Sequence, residues 1–370
     1  MSSNRKPYRF SMCYELKKLR KGTLVNIWVV GGRKFTLKLL SVKYNRVKGL
    51  SVNNMPVFID CKRIIGFKVK EPPTQVCRVL GYVTDFNTAS VYVFDTETNT
   101  VTDTIPVPVS ISPYGIALTP DGTRAYVLDP TSNVNVIDTA TNAVTDTIQV
   151  GLQPYSVAIT EEGARAYVTN YTSGTVSVIE TATNTVISTI RVGIGANDIA
   201  LTPDGSRAYV TSYATGTLYM IDTATNTVSG VATGLAVAGI DITPDGSRAY
   251  ITNIGTSSVH VLDIETNTIT ATFPVGRGPY VIRLTPDGTR AYVSNSWDGT
   301  ASVINTETNT VITTFTVGFG ADGLAFTPDG SRVYILSNWV SEVDTATNTI
   351  LEDFSVGNNP AAIAIETVCF

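Results

Sequence analysis

Eight aromatic, polar and charged residues could form a binding site, because they stand at or beside positions that recur every 41 or 42 residues. They are Tyr114, Tyr155, Asn197, Asp198, Asp241, Tyr280, Arg283 and Asp322. Aromatic faces with a few polar groups are what a pocket for a small molecule or peptide needs. Ordinary loop variation would give a similar spread of residue types. The spacing therefore leaves two interpretations open, a binding pocket or unconstrained loops.

The spacing comes from an internal repeat. The nonamer TPDGSRAYV begins at Thr202, and near copies begin at Thr119, Thr160, Thr243, Thr285 and Thr327. The tyrosines of successive copies are 41 or 42 residues apart. A period near 40 residues indicates one supersecondary unit per repeat, which cannot bury its apolar face without its neighbours.

Each unit predicts four short strands separated by TPDG turns and T-x-T-N hairpins, and four antiparallel strands form a propeller blade. The hairpin occurs seven times, whereas the strand that precedes TPDG occurs six times. A seventh copy of that strand, NPAAIAIET, lies at residues 359–367. We therefore predict an all-β, seven-bladed β-propeller whose C-terminal strand completes the first blade and removes an exposed edge.

The segment RAYVTNYTSGTVSVIETATNTVISTIRVG, residues 165–193, resembles the YVTN-type repeat of YncE-like and surface-layer β-propellers. The resemblance covers about residues 77–370 and recurs in every repeat. It implies a seven-bladed propeller closed by its two chain ends. It implies little about activity, because propellers host many unrelated functions.

Two charged residues interrupt a position that is otherwise alanine. The first strand of each unit should line the central channel, and its alanine is replaced by Asp241 and Arg283 in two neighbouring repeats. The opposite charges predict an ion pair. Either it is a structural salt bridge inside the channel or it forms part of a ligand site, and the desolvation of a buried pair leaves room for the second alternative.

The residues that repeat in every unit are interpreted as structural. The Asp and Gly of PDG form turns. The repeated arginines are predicted to pair with an acid of the neighbouring blade or to cover the tyrosine ring. They are Arg124, Arg165, Arg207, Arg248, Arg290 and Arg332.

The sequence offers little material for catalysis. His260 is the only histidine and lies in a predicted outer strand, so we interpret it as structural. A Ser-His-Asp triad or a His-rich metal site needs more. Asp198, Asp241 and Asp322 are spread over different repeats. We predict no catalytic residue, no metal and no cofactor, and place a channel lyase or hydrolase last among the alternatives.

The first 70 residues differ sharply in charge from the rest. They contain 17 of the 27 lysines and arginines and only Glu15 and Asp60 among the 31 acids, a net charge near +15. The remaining residues have no lysine and a net charge near −19. Such asymmetry indicates a nucleic acid or an anionic surface as a partner. Attraction between the two oppositely charged regions is the other interpretation.

Residues 1–70 are predicted to form a short helix in CYELKKLRKG and then about five strands, a small basic barrel. The stretch VNIWVVGGRKFTLKL is similar to Sm-like barrels, including bacterial Hfq, and to SH3-like barrels. The Hfq-type YKH motif would fall at residues 60–62, where the histidine is absent. The basic side chains still predict phosphate binding. The candidate nucleic-acid-binding residues are Lys34, Lys38, Lys43, Arg46, Lys48, Lys62, Arg63 and Lys68.

Four widely spaced cysteines contain no C-x-x-C pair, so no zinc or redox motif is indicated. They are Cys13, Cys61, Cys77 and Cys369, interpreted as buried or free thiols in preference to disulfides. The basic N-terminus lacks a following apolar segment, so we expect no secretory signal. No apolar run is long enough for a membrane span. These features predict a cytoplasmic protein or one associated with a surface, such as that of a spore, by another route.

The sequence therefore predicts a basic barrel domain at residues 1–70, a linker at 71–76 and a propeller at 77–370. The favoured function is non-enzymatic binding or scaffolding, with the propeller face and channel mouth recognising a protein partner or small ligand. The first alternative is RNA or single-stranded DNA binding by the basic domain, through which the chain could also form a homo-oligomer. The second alternative is a structural protein of the cell or spore surface.

Overall fold

A computed structural model describes most of the chain. The described residues are 24–29, 34–43, 46–51, 56–60, 64–69, 76–108, 113–234 and 236–369. The chain divides into two compact units, Met1–Val76 and Cys77–Phe370. All regular structure among the described residues is β-strand. The predicted helix in CYELKKLRKG lies outside them.

The first unit contains one antiparallel sheet of five strands. The strands are β1 Leu24–Val29, β2 Lys34–Lys43, β3 Arg46–Ser51, β4 Pro56–Asp60 and β5 Ile64–Val69. Their order is β4-β3-β2-β1-β5, so the fifth strand returns to pair with the first. The number of strands agrees with the prediction of about five. Val25 and Ile27 of β1 are fully buried, which gives the sheet an apolar side.

The second unit consists of seven four-stranded antiparallel sheets, the seven blades of a β-propeller. Blade 1 contains β6 Cys77–Asp85, β7 Ser90–Asp95 and β8 Thr100–Pro106, joined by the C-terminal strand β33 Pro360–Cys369. Blade 2 contains β9 Ile116–Leu118, β10 Arg124–Asp129, β11 Asn133–Asp138 and β12 Ala143–Gln149. Blade 3 contains β13 Pro154–Ile159, β14 Arg165–Asn170, β15 Thr175–Glu180 and β16 Thr185–Arg191.

The remaining four blades follow the same pattern. Blade 4 contains β17 Ala196–Leu201, β18 Arg207–Ser212, β19 Thr217–Asp222 and β20 Val228–Ala232. Blade 5 contains β21 Val237–Ile242, β22 Arg248–Asn253, β23 Ser258–Asp263 and β24 Thr268–Pro274. Blade 6 contains β25 Pro279–Leu284, β26 Arg290–Asn295, β27 Thr300–Asn305 and β28 Thr310–Thr316. Blade 7 contains β29 Gly323–Phe326, β30 Arg332–Leu336, β31 Val340–Asp344 and β32 Thr349–Phe354.

The ring closes as predicted, because β33 pairs with β6 in blade 1. We call one strand of each blade its inner strand; it is the first strand in blades 2 to 7 and β33 in blade 1. Each inner strand contacts the inner strands of the two neighbouring blades, so β33 lies between β29 and β9. The core consists of apolar clusters between adjacent blades, built from Val, Ile and Leu of facing sheets. This packing explains why one repeat cannot stand alone.

Among the described residues, the repeated tyrosine joins five of the seven blades to the next through its hydroxyl. The hydroxyl of Tyr209 donates a hydrogen bond to Asn267 Oδ1 at 2.8 Å, and Tyr250 donates to Asn309 Oδ1 at the same distance. Both asparagines belong to the T-x-T-N hairpin of the next blade and have positive φ. Blade 1 contributes a seventh fully buried tyrosine, Tyr82, which the nonamer pattern missed.

The repeated arginines bind mainly backbone carbonyls of the next blade, not the acids that the sequence predicted. Arg207 Nη1 donates at 2.6 Å to the backbone carbonyl of Ile264, which lies in the hairpin of the next blade. The predicted ring contact occurs at Arg248, whose Cζ lies 5.8 Å from the Tyr250 ring centroid. These arginines therefore have a structural role.

The interpretation of the cysteines as free thiols was wrong for one pair. Cys77 and Cys369 form a disulfide across 292 residues of sequence. They stand directly opposite each other in the β6–β33 register, with Cα atoms 4.0 Å apart, so ring closure itself brings them together. Wide separation in sequence concealed this proximity. Cys13 and Cys61 lie outside the described residues.

Candidate functional site

A cavity of about 320 Å³ opens at the end of the central channel where the inner strands begin; we call it the mouth cavity. Its lining comes from all seven blades. It includes seven of the eight predicted ligand-binding residues, Tyr114, Tyr155, Asn197, Asp198, Tyr280, Arg283 and Asp322. Asp241, the eighth, is not part of the lining. The positions that differ between repeats thus converge in space.

β-bulges place several of these residues at the mouth. The pairing of the inner strand with its neighbour shifts between Pro154 and Val157 in blade 3, and the equivalent shift recurs in blades 4, 5 and 6. Tyr155 lies inside such an irregularity. A bulge bends its strand and redirects its side chains, and bulges are common beside binding sites.

The hydroxyl residue two positions after the repeated tyrosine, threonine in blades 3 to 5 and Ser294 in blade 6, holds each bulge in place. Thr169 Oγ1 accepts a hydrogen bond from the backbone N–H of Ser156 at 2.9 Å and donates to the carbonyl of Asn197, in the next blade, at 2.8 Å. Thr252 likewise accepts from Gly239 and donates to the carbonyl of Tyr280 at 3.0 Å. A repeated hydroxyl therefore fixes the backbone on which the variable side chains stand.

Two glycines allow tyrosines to sit close to the preceding blade. A Cβ added at Gly115 would lie 2.7 Å from the carbonyl oxygen of Tyr155. A Cβ at Gly239 would lie 2.4 Å from the carbonyl oxygen of Tyr280. Each glycine lies in the blade before the one that contributes the tyrosine to the mouth cavity. These glycines are consequently part of how the site is built.

Aromatic rings form one wall of the mouth cavity. Phe86 meets Tyr114 edge to face with ring centroids 5.5 Å apart, and Tyr114 lies 5.3 Å from Tyr155. Tyr171 continues the row at 5.7 Å from Tyr155. Such spacings are favourable for aromatic pairs. Phe86, Tyr114 and Tyr155 of this row line the mouth cavity.

Two tyrosines meet across the channel. The hydroxyls of Tyr155 in blade 3 and Tyr280 in blade 6 are hydrogen-bonded to each other. Burial raises the pKa of Tyr155 to about 12. Burial also raises the pKa of Tyr280, and the nearby Tyr155, Asp322 and Asp198 raise it further. Both phenols are therefore neutral at physiological pH.

The ion pair in the channel differs from the one predicted. Arg283 Nη1 lies 3.3 Å from Asp198 Oδ2, whereas the sequence had paired Arg283 with Asp241 of the adjacent blade. Asp198 reaches Arg283 because the bulge in β17 redirects it across blade 5. Asp198 also accepts hydrogen bonds from Ser156 Oγ at 2.6 Å and from the backbone of Ile240 at 3.1 Å.

Asp241 has a different role. Its carboxylate accepts hydrogen bonds from the backbone N–H of Leu284 at 2.7 Å and of Ile242 at 2.9 Å, and so links blades 5 and 6. Burial raises the pKa of this carboxyl, although the charge of Arg283 and the two backbone bonds oppose the shift. Asp241 therefore does not line the mouth cavity and instead joins the inner strands of blades 5 and 6.

Arg283, Asn197 and Asp322 retain polar atoms that can face a ligand. The three hydrogen bonds of Arg283 all use Nη1, which leaves Nε and Nη2. Asn197 is buried and donates through Nδ2 to the carbonyl of Ala238 at 3.2 Å. Asp322 is exposed and accepts from Ser296 Oγ at 2.7 Å through Oδ1.

Sequence reasoning missed Phe86, Ser156 and Asn359, which also line the mouth cavity. Phe86 could have been found by alignment of the loops that follow the second strand, since Tyr171 and Tyr213 occupy the corresponding place in blades 3 and 4. Ser156 contacts Asp198 of the adjacent blade, and no repeating feature of the sequence indicates this contact.

His260 has a structural environment, as predicted. It is buried, its Nε2 lies 3.1 Å from Asn253 Nδ2, and its Nδ1 lies 2.8 Å from Thr272 Oγ1. Burial lowers its pKa. In the part of the chain that the structure describes, no group of three His, Cys, Asp or Glu side chains is arranged to hold a metal ion.

The predicted basic residues of the first unit fall on several strands. Lys34, Lys38 and Lys43 lie on β2, Arg46 and Lys48 on β3, and Lys68 on β5. Lys62 and Arg63 lie outside the described residues. The register places Lys34 opposite Trp28, Lys38 opposite Leu24 and Lys68 opposite Asn26. These partners alternate along β1 with the buried Val25 and Ile27.

The comparisons with known proteins show a fold and no family. No family model matches the chain, and no curated protein matches it. A functionally unknown protein from Desulfotomaculum acetoxidans is similar, with 18% identity, 78% of this chain and 98% of that chain covered, and a TM-score of 0.68.

Two further solved structures share the architecture. A candidate 6-phosphogluconolactonase from Bacteroides fragilis is 17% identical over 80% of this chain and 99% of that chain, with a TM-score of 0.65. Hydrazine synthase from Kuenenia stuttgartiensis is 19% identical over 70% of this chain and 90% of that chain, with a TM-score of 0.64. At such identities the likeness establishes the propeller fold. No helix among the described residues has the length and apolar character needed to cross a bilayer.

Proposed function

We propose that this chain is a non-enzymatic binding protein that holds a partner or small ligand in the mouth cavity. One observation carries the proposal. The residues at which the repeats differ, supplied by separate blades, line a single cavity, whereas the residues that repeat join the blades together.

The size and chemistry of the cavity support binding. A volume of about 320 Å³ lies at the lower end of the range for ligand pockets. Its wall combines aromatic rings with a few oriented polar groups, chiefly Asn197, Arg283 and Asp322. Pockets of this composition use apolar surface for affinity and polar groups for orientation.

The titratable groups of the mouth favour binding over acid–base chemistry. Asp198 already accepts hydrogen bonds from Ser156, Ile199 and Ile240 and pairs with Arg283. The two phenols that meet across the channel are neutral at physiological pH. A general base should titrate near the working pH, and neither tyrosine does.

The proposal is tested by a thermal-shift screen of a metabolite library against the full chain. A ligand of the mouth should raise the Tm of the wild type, bind Tyr155→Leu at least tenfold more weakly, and bind Arg283→Ala with a changed affinity whose direction depends on the charge of the ligand. Glu162→Gln, an exposed change in the TEEG turn of blade 3, is the control and should bind normally. Ligands that bind all four proteins equally would refute a mouth site.

A second candidate function rests on the first unit. We propose that its basic residues bind a polyanion such as RNA or single-stranded DNA. The net charge near +15 over residues 1–70 supports this proposal. So does the register, since Lys34, Lys38 and Lys68 pair with positions that alternate with the buried side of β1. The return of β5 to β1 suits the Sm-like or SH3-like barrel that we propose for this unit.

Fluorescence anisotropy of full-length protein with short single-stranded RNA and DNA tests this function. The logarithm of the binding constant should fall linearly with the logarithm of salt concentration. A Lys34→Gln and Lys38→Gln double variant should have a shallower slope, by about one to two, because each lost phosphate contact lowers it by about one. Absence of binding at low salt would contradict the proposal that the basic residues of the first unit bind nucleic acid.

We also propose that the repeats belong with the YVTN-type propellers that they resemble. The tyrosine and threonine of the motif contact the next blade, and its asparagine hydrogen-bonds within its own blade, as Asn170 does to Thr175 and Ser177. The disulfide between Cys77 and Cys369 supports an oxidising surrounding and thus the surface-associated alternative, since such bonds persist mainly outside the reducing cytosol. Analysis of free thiols in protein from its native source would test this point.

A further inference from the structure

We infer that the mouth cavity takes an organic cation, an alkylammonium group flanked by apolar substituents. The inference rests on the proposed binding function and specifies the chemical class of the ligand. It combines three independent features of the same end of the propeller, namely the balance of charge, the aromatic wall and an apolar rim.

The charges around the mouth sum to a negative value. Among the described residues of the lining, Arg283 is the only basic one, and its charge is matched by Asp198 at 3.3 Å. Asp322 then remains as an unmatched carboxylate at the rim. Asp241 adds negative charge behind Arg283 whenever it is ionised. Residues 71–370 carry a net charge near −19, so the wider field of these residues also attracts cations.

The field of Asp322 reaches the tyrosines that meet across the channel. Asp322 contributes to the raised pKa of both Tyr155 and Tyr280, which means that its negative charge disfavours a second negative charge at their hydroxyls. The same field stabilises a positive charge there. Of the Asp322 oxygens, Oδ1 accepts from Ser296, and Oδ2 remains to face a cation.

The aromatic wall provides the partner that an alkylammonium group prefers. The rings of Phe86, Tyr114 and Tyr155 follow one another at 5.3 to 5.5 Å along the cavity. A cation within about 6 Å of a ring face is attracted by the ring quadrupole, most strongly where water is excluded. Quaternary ammonium groups are recognised by aromatic walls for this reason.

An apolar rim favours an organic cation over a hydrated inorganic one. Loops that connect the last strand of one blade to the inner strand of the next expose large apolar side chains at the mouth end of the propeller. Leu152, Ile194 and Phe319 are each more than half exposed, and Trp297 is exposed in a loop of blade 6 at the same end. Because Asp198 is already saturated by hydrogen bonds, the carboxylates suit long-range attraction better than metal coordination.

The test compares choline with its neutral isostere 3,3-dimethyl-1-butanol and with the anion 3,3-dimethylbutanoate, titrated into the full chain by NMR. Choline should bind about tenfold more tightly than the isostere, the range expected for a cation–π contact that is partly desolvated. Asp322→Asn and Tyr114→Leu should each weaken choline about three- to tenfold. Glu162→Gln should leave its binding unchanged.

A further arm identifies the source of the cation. Nα-acetyl-trimethyllysine methylamide presents the same group as a peptide side chain, and tighter binding than choline would indicate a protein partner. Equal binding of the neutral isostere in the mouth would overturn the inference of a cationic ligand and leave the proposed binding function intact. Tighter binding of the anion would also overturn the inference and would indicate a negatively charged ligand that binds Arg283. No binding of choline below 10 mM, on the order of the weakest useful affinity, would likewise overturn it.

Discussion

The two ends of the propeller are built by opposite rules. At the end formed by TPDG turns and T-x-T-N hairpins, hereafter the hairpin end, tyrosine hydroxyls donate to the hairpin asparagines of the next blade in blade after blade. At the mouth end, equivalent positions are tyrosine, asparagine, alanine or aspartate. Repetition accompanies contacts that recur at five of the seven described blade interfaces, and variation accompanies the cavity.

The comparison separates stability from recognition within a single fold. Among the described residues, the large exposed apolar side chains of the loops lie at the mouth end, and the turns and hairpins of the other end are polar. Yet the ends are coupled through the same repeated motif. Its tyrosine serves the hairpin end, and its threonine holds the bulges of the mouth.

The strongest test of the comparison replaces a tyrosine of the hairpin end. Tyr250→Ala removes a fully buried ring and its hydrogen bond to Asn309, and should lower the free energy of unfolding by about 3–5 kcal/mol. Urea denaturation measures the change. Tyr114→Ala is the matched control at the mouth and should cost clearly less, because Tyr114 is only half-buried. Equal losses would contradict the division between the two ends.

Ring closure provides the next largest effect. Reduction of the Cys77–Cys369 disulfide frees a loop of 292 residues in the unfolded chain and should lower stability by about 2–4 kcal/mol. The Tm of the oxidised protein should therefore fall on addition of reductant. A Cys77→Ser and Cys369→Ser double variant should start from the lower Tm and ignore reductant. A wild-type Tm that reductant leaves unchanged would refute the contribution of this bond.

A mouth variant should show the reverse pattern. Tyr155→Leu retains apolar volume and loses the hydroxyl contact to Tyr280, so we expect a stability loss of about 1 kcal/mol. Its affinity for a mouth ligand should fall at least tenfold. Calorimetric binding and urea denaturation on the same sample check both values. A large loss of stability would show that Tyr155 mainly stabilises the fold.

The smallest effect concerns acid. Hydrogen bonds from Thr243 and Ser247 lower the pKa of Asp245 in the TPDG turn to about 2. Because the folded pKa is below the unfolded one, the turn contributes stability above about pH 4 that is lost as pH falls through 2. The pKa of the equivalent aspartates is lowered in the same way. They are Asp121, Asp204, Asp287 and Asp329.

Asp245→Asn should therefore flatten the decline of Tm between pH 4 and pH 2. We expect less than about 1 kcal/mol at neutral pH, since the side chain is exposed and solvent screens it. Thermal melts across this pH range measure the slope. An unchanged slope would show that the turn carboxylates do not control acid stability.

Much of the propeller could be predicted because its determinants are local and repeated. The period near 40 residues fixed the blade, and the copy of the inner strand at residues 359–367 revealed how the ring closes. The mouth residues could be found as departures from the repeat, since equivalent positions of a ring must lie together. Seven of the eight proposed residues accordingly line one cavity.

The failures concern contacts that a one-dimensional pattern does not carry. The partner of Arg283 was misassigned because a bulge redirects Asp198 across blade 5. Cys77 and Cys369 become neighbours only through ring closure. Phe86 escaped notice because blade 1 is split between the two chain ends, which conceals its equivalence with the other blades.

The central claim is that the departures from the repeat build the binding site. A crystallographic screen of one fragment library against the full chain tests it most directly, because both ends of the propeller are sampled in the same experiment. The account predicts that bound fragments concentrate in the mouth cavity, against Tyr114, Tyr155 and Arg283. Fragments that occupy the hairpin end and leave the mouth cavity empty would contradict it.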